Sequence, residues 1–188
     1  MTKSFPTRYN GIRFRSKLEA DWARAFDALG VRWDYEHEGA YHGTVYYMPD
    51  FYLPASQQIV EVKGQWLPDD CRKVAAYLND AAPRRMARHL ADMTVIAANP
   101  DGVFWGYRRP ETPIMDLADL LLEHNHIVDL QHCPHCHEWW FHLPSDGWRC
   151  QCCGASTPDG RPLGDDALTS PLTPWPLFNA LLAFGEPA

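Results

Sequence analysis

Residues 46–64 read Tyr-Tyr-Met-Pro-Asp-Phe-Tyr-Leu-Pro-Ala-Ser-Gln-Gln-Ile-Val-Glu-Val-Lys-Gly. Two runs rich in β-branched and aromatic residues flank a short polar interruption, the pattern of two strands joined in a tight hairpin. Both runs carry charge. Pro49, with a fixed φ and no N–H, suits a strand start and is followed at once by Asp50. Glu61 and Lys63 alternate with Val60 and Val62, so a period of two puts the charged pair on one face and the valines on the other. The hairpin brings Asp50 near the charged face. Two carboxylates and an ammonium meeting at a sheet surface make a ready site for a hard, oxygen-seeking cation such as magnesium. A salt-bridged hairpin face, ordinary in antiparallel sheets, accounts for Glu61 and Lys63 but less well for Asp50.

Pro49-Asp50, ten intervening residues, then Glu61-Val62-Lys63-Gly64 resembles the signature of the PD-(D/E)xK nuclease superfamily, in its resolvase-like and transposase-endonuclease-like branch. The resemblance extends upstream to a helix containing Glu19. It implies an α/β fold with a restriction-endonuclease-like core, in the order helix, antiparallel meander, helix, strand. It also implies magnesium- or manganese-dependent hydrolysis of phosphodiester bonds, with DNA as the expected partner. Asp50, Glu61, the Val62 carbonyl and Glu19 are then the expected metal ligands, and Lys63 the residue that orients or helps deprotonate the attacking water. Two other readings stand beside it: a non-catalytic nucleic-acid-binding or assembly adaptor, and a transposase-like subunit active only within a homodimer or larger complex.

Length and charge set the domain plan. A chain of 188 residues suits one main domain with a small appendage. Residues 1–110 hold 15 Lys+Arg and 13 Asp+Glu, net +2, and residues 111–188 hold 2 and 11, net −9. This acidity argues against a nonspecific nucleic-acid coat, whose phosphate contacts rest on Lys and Arg. It leaves a nuclease open, because Arg8, Arg13, Arg15, Lys17 and Arg24, then Arg72, Lys73, Arg84, Arg85 and Arg88, gather around the expected site. The expected organisation is a nuclease-like core over 1–127, a zinc ribbon over 128–156, and a Pro-rich arm with a short helix over 157–188. No long apolar run or signal-peptide core occurs, so the expectation is a cytoplasmic protein with no membrane partner.

Ser16, with Glu19 three residues later, predicts a capped helix whose apolar face carries Leu18, Trp22, Ala25, Phe26 and Leu29 before Gly30 stops it. Glu19 thus has two candidate roles, helix cap and metal ligand. Val31, Trp33 and Tyr35 predict a strand over 31–36, and the sheet is expected to continue through Val45–Leu53 and Ile59–Lys63. His37 and His42 are candidate acid–base groups, but nothing in the motif requires them and a loop or edge place accounts for each. Pro68-Asp69-Asp70 opens a second helix, with Val74, Tyr77, Leu78 and Ala81 inward and Pro83 ending it. On it, Lys73 and Tyr77 stand where some members of the resembling superfamily carry Gln-x-x-x-Tyr, with lysine in place of the glutamine. Strands over 94–98 and 103–107, joined by a turn at 99–102, and a helix over 115–123 complete the expected core.

Cys133-Pro-His-Cys136 and Cys150-Gln-Cys-Cys153 are separated by 13 residues, the spacing of a structural zinc site made by the four outer cysteines. Cys152 is a spare thiol, and His132, His135, His137 and His142 are possible substitutes. Trp139, Trp140, Phe141 and Trp148 between the knuckles either pack a small ribbon or stack on bases. Cys71, near a helix start, is a thiol of either lowered pKa or buried structural character.

Overall fold

The computed structural model describes residues 5–63, 66–79, 95–98, 104–107, 125–127, 129–142 and 148–156. Gly64, Pro83, Arg84, Arg85, Arg88, the turn at 99–102, the helix expected over 115–123 and the arm and helix expected over 157–188 lie outside the described residues. The elements run β1 (Thr7–Tyr9), β2 (Ile12–Phe14), α1 (Lys17–Leu29), β3 (Asp34–Tyr35), β4 (Ala40–His42), β5 (Val45–Tyr47), β6 (Phe51–Leu53) and β7 (Gln58–Val62). They continue as α2 (Pro68–Asn79), β8 (Val95–Ala98), β9 (Phe104–Tyr107), β10 (Asn125–Ile127), β11 (Asp129–His132) and β12 (Trp139–His142). The fold is thus mixed α/β.

Five residues of β7 are all buried. That follows from its place inside the six-stranded sheet, in the order β10-β9-β8-β7-β6-β3. It pairs antiparallel with β6, Phe51 opposite Val60, and parallel with β8, Glu61 opposite Ala97. The parallel pair needs a crossover, and α2 lies between the two strands in sequence. Alternation then sorts the side chains. Val60 and Val62 join Phe51 and Leu53 in the main core under α1, while Ile59 joins Tyr47, Cys71 and Val74 under α2.

Phe51 is the hub of the main core, with ring centroids 5.5 Å from Phe26, 5.5 Å from Trp33, 5.6 Å from Tyr35 and 6.1 Å from Phe14. Burying an aromatic side chain of this kind stabilises by about 1.5–3 kcal/mol, so Asp50, its neighbour in sequence, is attached to one of the firmest points of the fold. α1 starts at Ser16, whose hydroxyl accepts from the Glu19 N–H at 3.1 Å, and ends at Gly30 in the left-handed region, φ +72°.

Two strand expectations are corrected and one element is added. Residues 31–36 contribute only β3, because Val31 N–H is still bonded to Phe26 O at 2.9 Å in the end of α1. Val45–Leu53 is two strands rather than one. Pro49, which has no N–H for a ladder, separates β5, paired with β4, from β6 in the main sheet. The β1–β2 hairpin is an added element. Its turn is Asn10-Gly11, both at positive φ, and an Asn-Gly pair between Tyr9 and Ile12 is the sequence signal for it. Among the described residues no helix is long and apolar enough to cross a membrane.

The cysteine-bearing segment is docked on this core. Leu130 and Phe141 belong to the main apolar cluster. Gln58, buried at the head of β7, donates from Nε2 to Phe141 O at 2.8 Å and accepts at Oε1 from Phe141 N–H at 2.9 Å. One side-chain amide therefore replaces a neighbouring strand. Gln58→Leu, of similar bulk, removes both of these bonds and is expected to cost about 1–3 kcal/mol. Denaturant unfolding should show the loss, and an unchanged midpoint would remove this amide from the account of docking.

Candidate metal centre and carboxylate site

The two knuckles are built alike. Cys133 N–H donates to Glu138 O at 2.9 Å and His137 N–H to Cys133 O at 2.8 Å; Cys150 N–H donates to Ala155 O at 2.8 Å and Gly154 N–H to Cys150 O at 2.9 Å. His137 and Gly154 occupy equivalent places, and both are left-handed, φ +60° and +75°. A glycine position held by histidine in the first knuckle explains His137 as a turn residue.

These turns bring Cys133, Cys136, Cys150 and Cys153 together, with all four Sγ atoms within 4.8 Å of one another. Cys133 and Cys153 are 3.9 Å apart, Cys136 and Cys150 3.7 Å. A tetrahedral ion with metal–sulfur bonds of ~2.3 Å requires edges of about 3.8 Å, so the set fits a metal ion such as zinc. Cys152 points elsewhere, its Sγ 3.8 Å from Trp139 O. Trp140 and Trp148 pack on Cys133 and Cys150, ring centroids 5.5 Å apart, which makes these two tryptophans the small core of the module. His132 meets Trp139 with ring centroids 4.8 Å apart and the rings tilted by 51°.

The second site gathers acidic groups on β6, β7 and α1. Asp50, 1 % exposed, accepts from Val62 N–H at Oδ2, 2.7 Å away, and makes a close ion pair with Arg15 through Oδ1. Glu61, 5 % exposed, contacts Lys63 Nζ at 2.7 Å through Oε1 and accepts from the Tyr47 hydroxyl at 3.0 Å through Oε2. Lys63 also approaches Asp70 of α2 at 3.4 Å. The two halves of the sequence motif are thus joined through the backbone of Val62, which turns its N–H to Asp50.

Glu19 is buried at the start of α1. Its Oε1 accepts from the Ser16 hydroxyl at 2.8 Å, and its Oε2 accepts from Arg15 N–H at 3.1 Å and from the Tyr35 hydroxyl at 2.6 Å. The box closes on the residue before the cap rather than on the cap's own N–H. Glu19 still faces Asp50 closely enough to act on its charge. Arg15 spans the group, reaching Glu36 at 3.0 Å as well as Asp50 and Glu19.

Burial pushes the Asp50 carboxyl up, to about 8, and Glu61 and Glu19 add to the rise; Lys63 and Arg15 offset it only in part. Burial opposes the charge on Lys63, but Glu61 and Asp50 outweigh it and raise the ammonium, which stays protonated. Arg15 is raised by Asp50 and Glu19 against the same burial penalty. Burial, then Glu61, lifts the Tyr47 phenol far above its usual range, so it serves as a donor.

Other sequence candidates fall outside this group. His37 stacks on Tyr52 at 4.8 Å and lies 3.4 Å from Asp34. His42 is buried edge-on to Tyr77, 5.1 Å between centroids, and Tyr77 in turn meets Tyr47 at 5.6 Å. Lys73 pairs with Asp69 at 2.8 Å. Cys71 is a buried thiol that burial pushes up to about 11. Sequence reasoning missed Tyr47, Tyr35 and Asp70 as partners of the charged residues; a tyrosine two residues before Pro49 carries no signal of its own. Comparison with family models, curated proteins and solved structures gives no match.

Two outcomes are expected. Protein purified without chelator should hold about one thiophilic metal ion per chain, lost in a Cys133→Ser, Cys150→Ser double variant; elemental analysis decides, and retained metal in that variant would dissolve the four-cysteine centre. The second concerns pH. The Asp50 pKa, raised to about 8, stands above that of an unfolded-chain aspartate, about 4, so the stability this group contributes is full below the lower value and is lost as pH rises through the upper. In magnesium-free buffer containing zinc, the melting temperature should fall across that window, and Asp50→Asn should flatten the fall. Parallel curves for the two proteins would contradict a carboxyl held in this state.

Proposed function

We propose that the chain is a metal-dependent nuclease that hydrolyses phosphodiester bonds, with DNA as substrate. The observation that carries this reading is the Val62 N–H bond to Asp50 Oδ2 at 2.7 Å, which holds Asp50 against Glu61-Val62-Lys63 with both carboxylates buried. The element order around them, α1, then β3, β6 and β7 antiparallel, then α2, then β8 parallel to β7, supports a restriction-endonuclease-like core.

Carboxylates suit magnesium or manganese, and the raised Asp50 pKa marks a place where a positive charge is wanted more than the protein's own cations supply. Asp50, Glu61 and the Val62 carbonyl would hold that ion, with Glu19 as a further candidate. When bound, it supplies polarisation of the scissile phosphate and charge stabilisation of attacking and leaving oxygens. Lys63, kept protonated by Glu61, orients the attacking water and offsets charge growing on the phosphate rather than accepting a proton. Arg15, paired with Asp50 and half exposed, would compete with such an ion for that carboxylate and could present its guanidinium to a phosphate. The cysteine centre takes structural zinc, thiolate being the soft ligand and carboxylate the hard one.

A second reading has its own observation. Arg15 and Lys63 already cap Asp50 and Glu61, the arrangement of a nuclease-like fold kept as a nucleic-acid-binding or assembly adaptor. Labelled single-stranded, duplex and branched DNA, incubated with the protein in magnesium or manganese, separates the two. Cleavage is expected, reduced at least ~100-fold by Asp50→Ala, a barrier increase of about 2.7 kcal/mol. Calcium, larger and a weaker Lewis acid, should support binding without turnover. A parent that cuts none of the substrates sinks the nuclease and leaves the adaptor.

A further inference from the structure

Between Thr7 and Lys17 the chain holds four cations and no anion, in a protein of net charge −7. Two of the four face each other. In the β1–β2 register Arg8 is directly opposite Arg13, and both are exposed. Like charges in that position destabilise a hairpin. Among the described residues neither arginine is in an ion pair, whereas Lys17, Arg24, Arg72 and Lys73 each have a carboxylate within 2.6–2.8 Å.

The hairpin under them is firmly set. On its other face Phe14 is fully buried in the main core, and the Tyr9 hydroxyl donates to Asp27 of α1 at 2.8 Å. The turn has both residues at positive φ, φ +47° for Asn10 and +81° for Gly11. Two guanidinium groups are therefore carried on a rigid ribbon at a cost in stability, with no carboxylate among the described residues to neutralise them. Arg15 follows Arg13 by two residues, about 6.7 Å along an extended chain, and is already at Asp50.

We propose that the exposed face of the β1–β2 hairpin, with Arg8 and Arg13, is a binding strip for the phosphate backbone of a nucleic acid and leads it past Arg15 to the carboxylates. The inference rests on the nuclease reading for the direction in which the backbone runs. A polyanion with regularly spaced charges matches a strip of successive arginines that ends at Asp50, and guanidinium forks pair with phosphate oxygens in bidentate fashion. The strip positions the backbone and reads no sequence, since phosphate contacts carry none.

The test uses the full chain and a fluorescent DNA duplex of about 20 base pairs, with a single strand and an RNA of the same sequence as further arms, titrated in calcium over a salt series. Arg8→Ala with Arg13→Ala is expected to weaken binding at least ~10-fold and to lower the salt slope by about two, one for each phosphate that loses its guanidinium. Arg8→Glu gives opposite signs in two readouts: it places an acid across from Arg13 and should keep or raise the melting temperature, yet it should weaken binding more than Arg8→Ala. A purely structural role cannot produce that divergence. Variants that bind with the parent's affinity and salt slope, or a parent that binds none of the three oligonucleotides, overturn the strip. If the parent binds through the hairpin but cuts nothing in magnesium, the strip stands and the nuclease reading falls. If the parent cuts and both variants bind and cut like it, the nuclease stands and the strip falls.

Discussion

A carboxylate in the middle of a sheet must be compensated, and Glu61 on β7 sets this demand for the whole molecule. The strand is enclosed by β6 and β8 at its sides and by apolar clusters above and below. An uncompensated charge there would cost several kcal/mol. The compensation comes from two places in the sequence, Lys63 at the strand's exit and Tyr47 from β5, while Asp70 of α2 shares the Lys63 ammonium. The meander, the small β4–β5 hairpin and α2 are held around one charged group as much as around their apolar faces.

The same logic governs Asp50, with a different balance. Its neighbours are a backbone N–H and Arg15, and burial first, then the nearby Glu61, push the carboxyl up further than Lys63 and Arg15 bring it down. Glu61 has its cation at 2.7 Å on the same strand. Two buried carboxylates on facing arms of a hairpin thus each have a cation that other acids also draw on, a setting that gains from an added positive charge.

The strands of the site were legible because Val60-Glu61-Val62-Lys63 alternate strictly between apolar and charged. The same period explains why Val60 and Val62 face α1. The four-cysteine centre was legible from spacing alone, since two turns that each pair a cysteine with a residue five positions on leave little freedom for the thiols. What was not legible depends on residues distant in the chain. Nothing near Gln58 announces that its amide will pair with Phe141, 83 residues later. The split of Val45–Leu53 into two strands turned on which neighbour each half would find, although Pro49 marked the break. The two candidate roles of Glu19 were visible as a conflict, and the geometry shows its carboxylate engaged with Ser16, the Arg15 N–H and Tyr35 together.

Gln58 and Glu61 lie on one strand three residues apart, the first gripping the cysteine module and the second the charged site. Whatever occupies the thiols therefore contributes to the free energy of the strand that carries the acids. An ion that binds only the folded module adds about 1.4 kcal/mol to the stability of that shared unit for each tenfold excess over its dissociation constant. Availability of a soft metal in the surroundings thus bears on how firmly the strand that carries the buried acids is held.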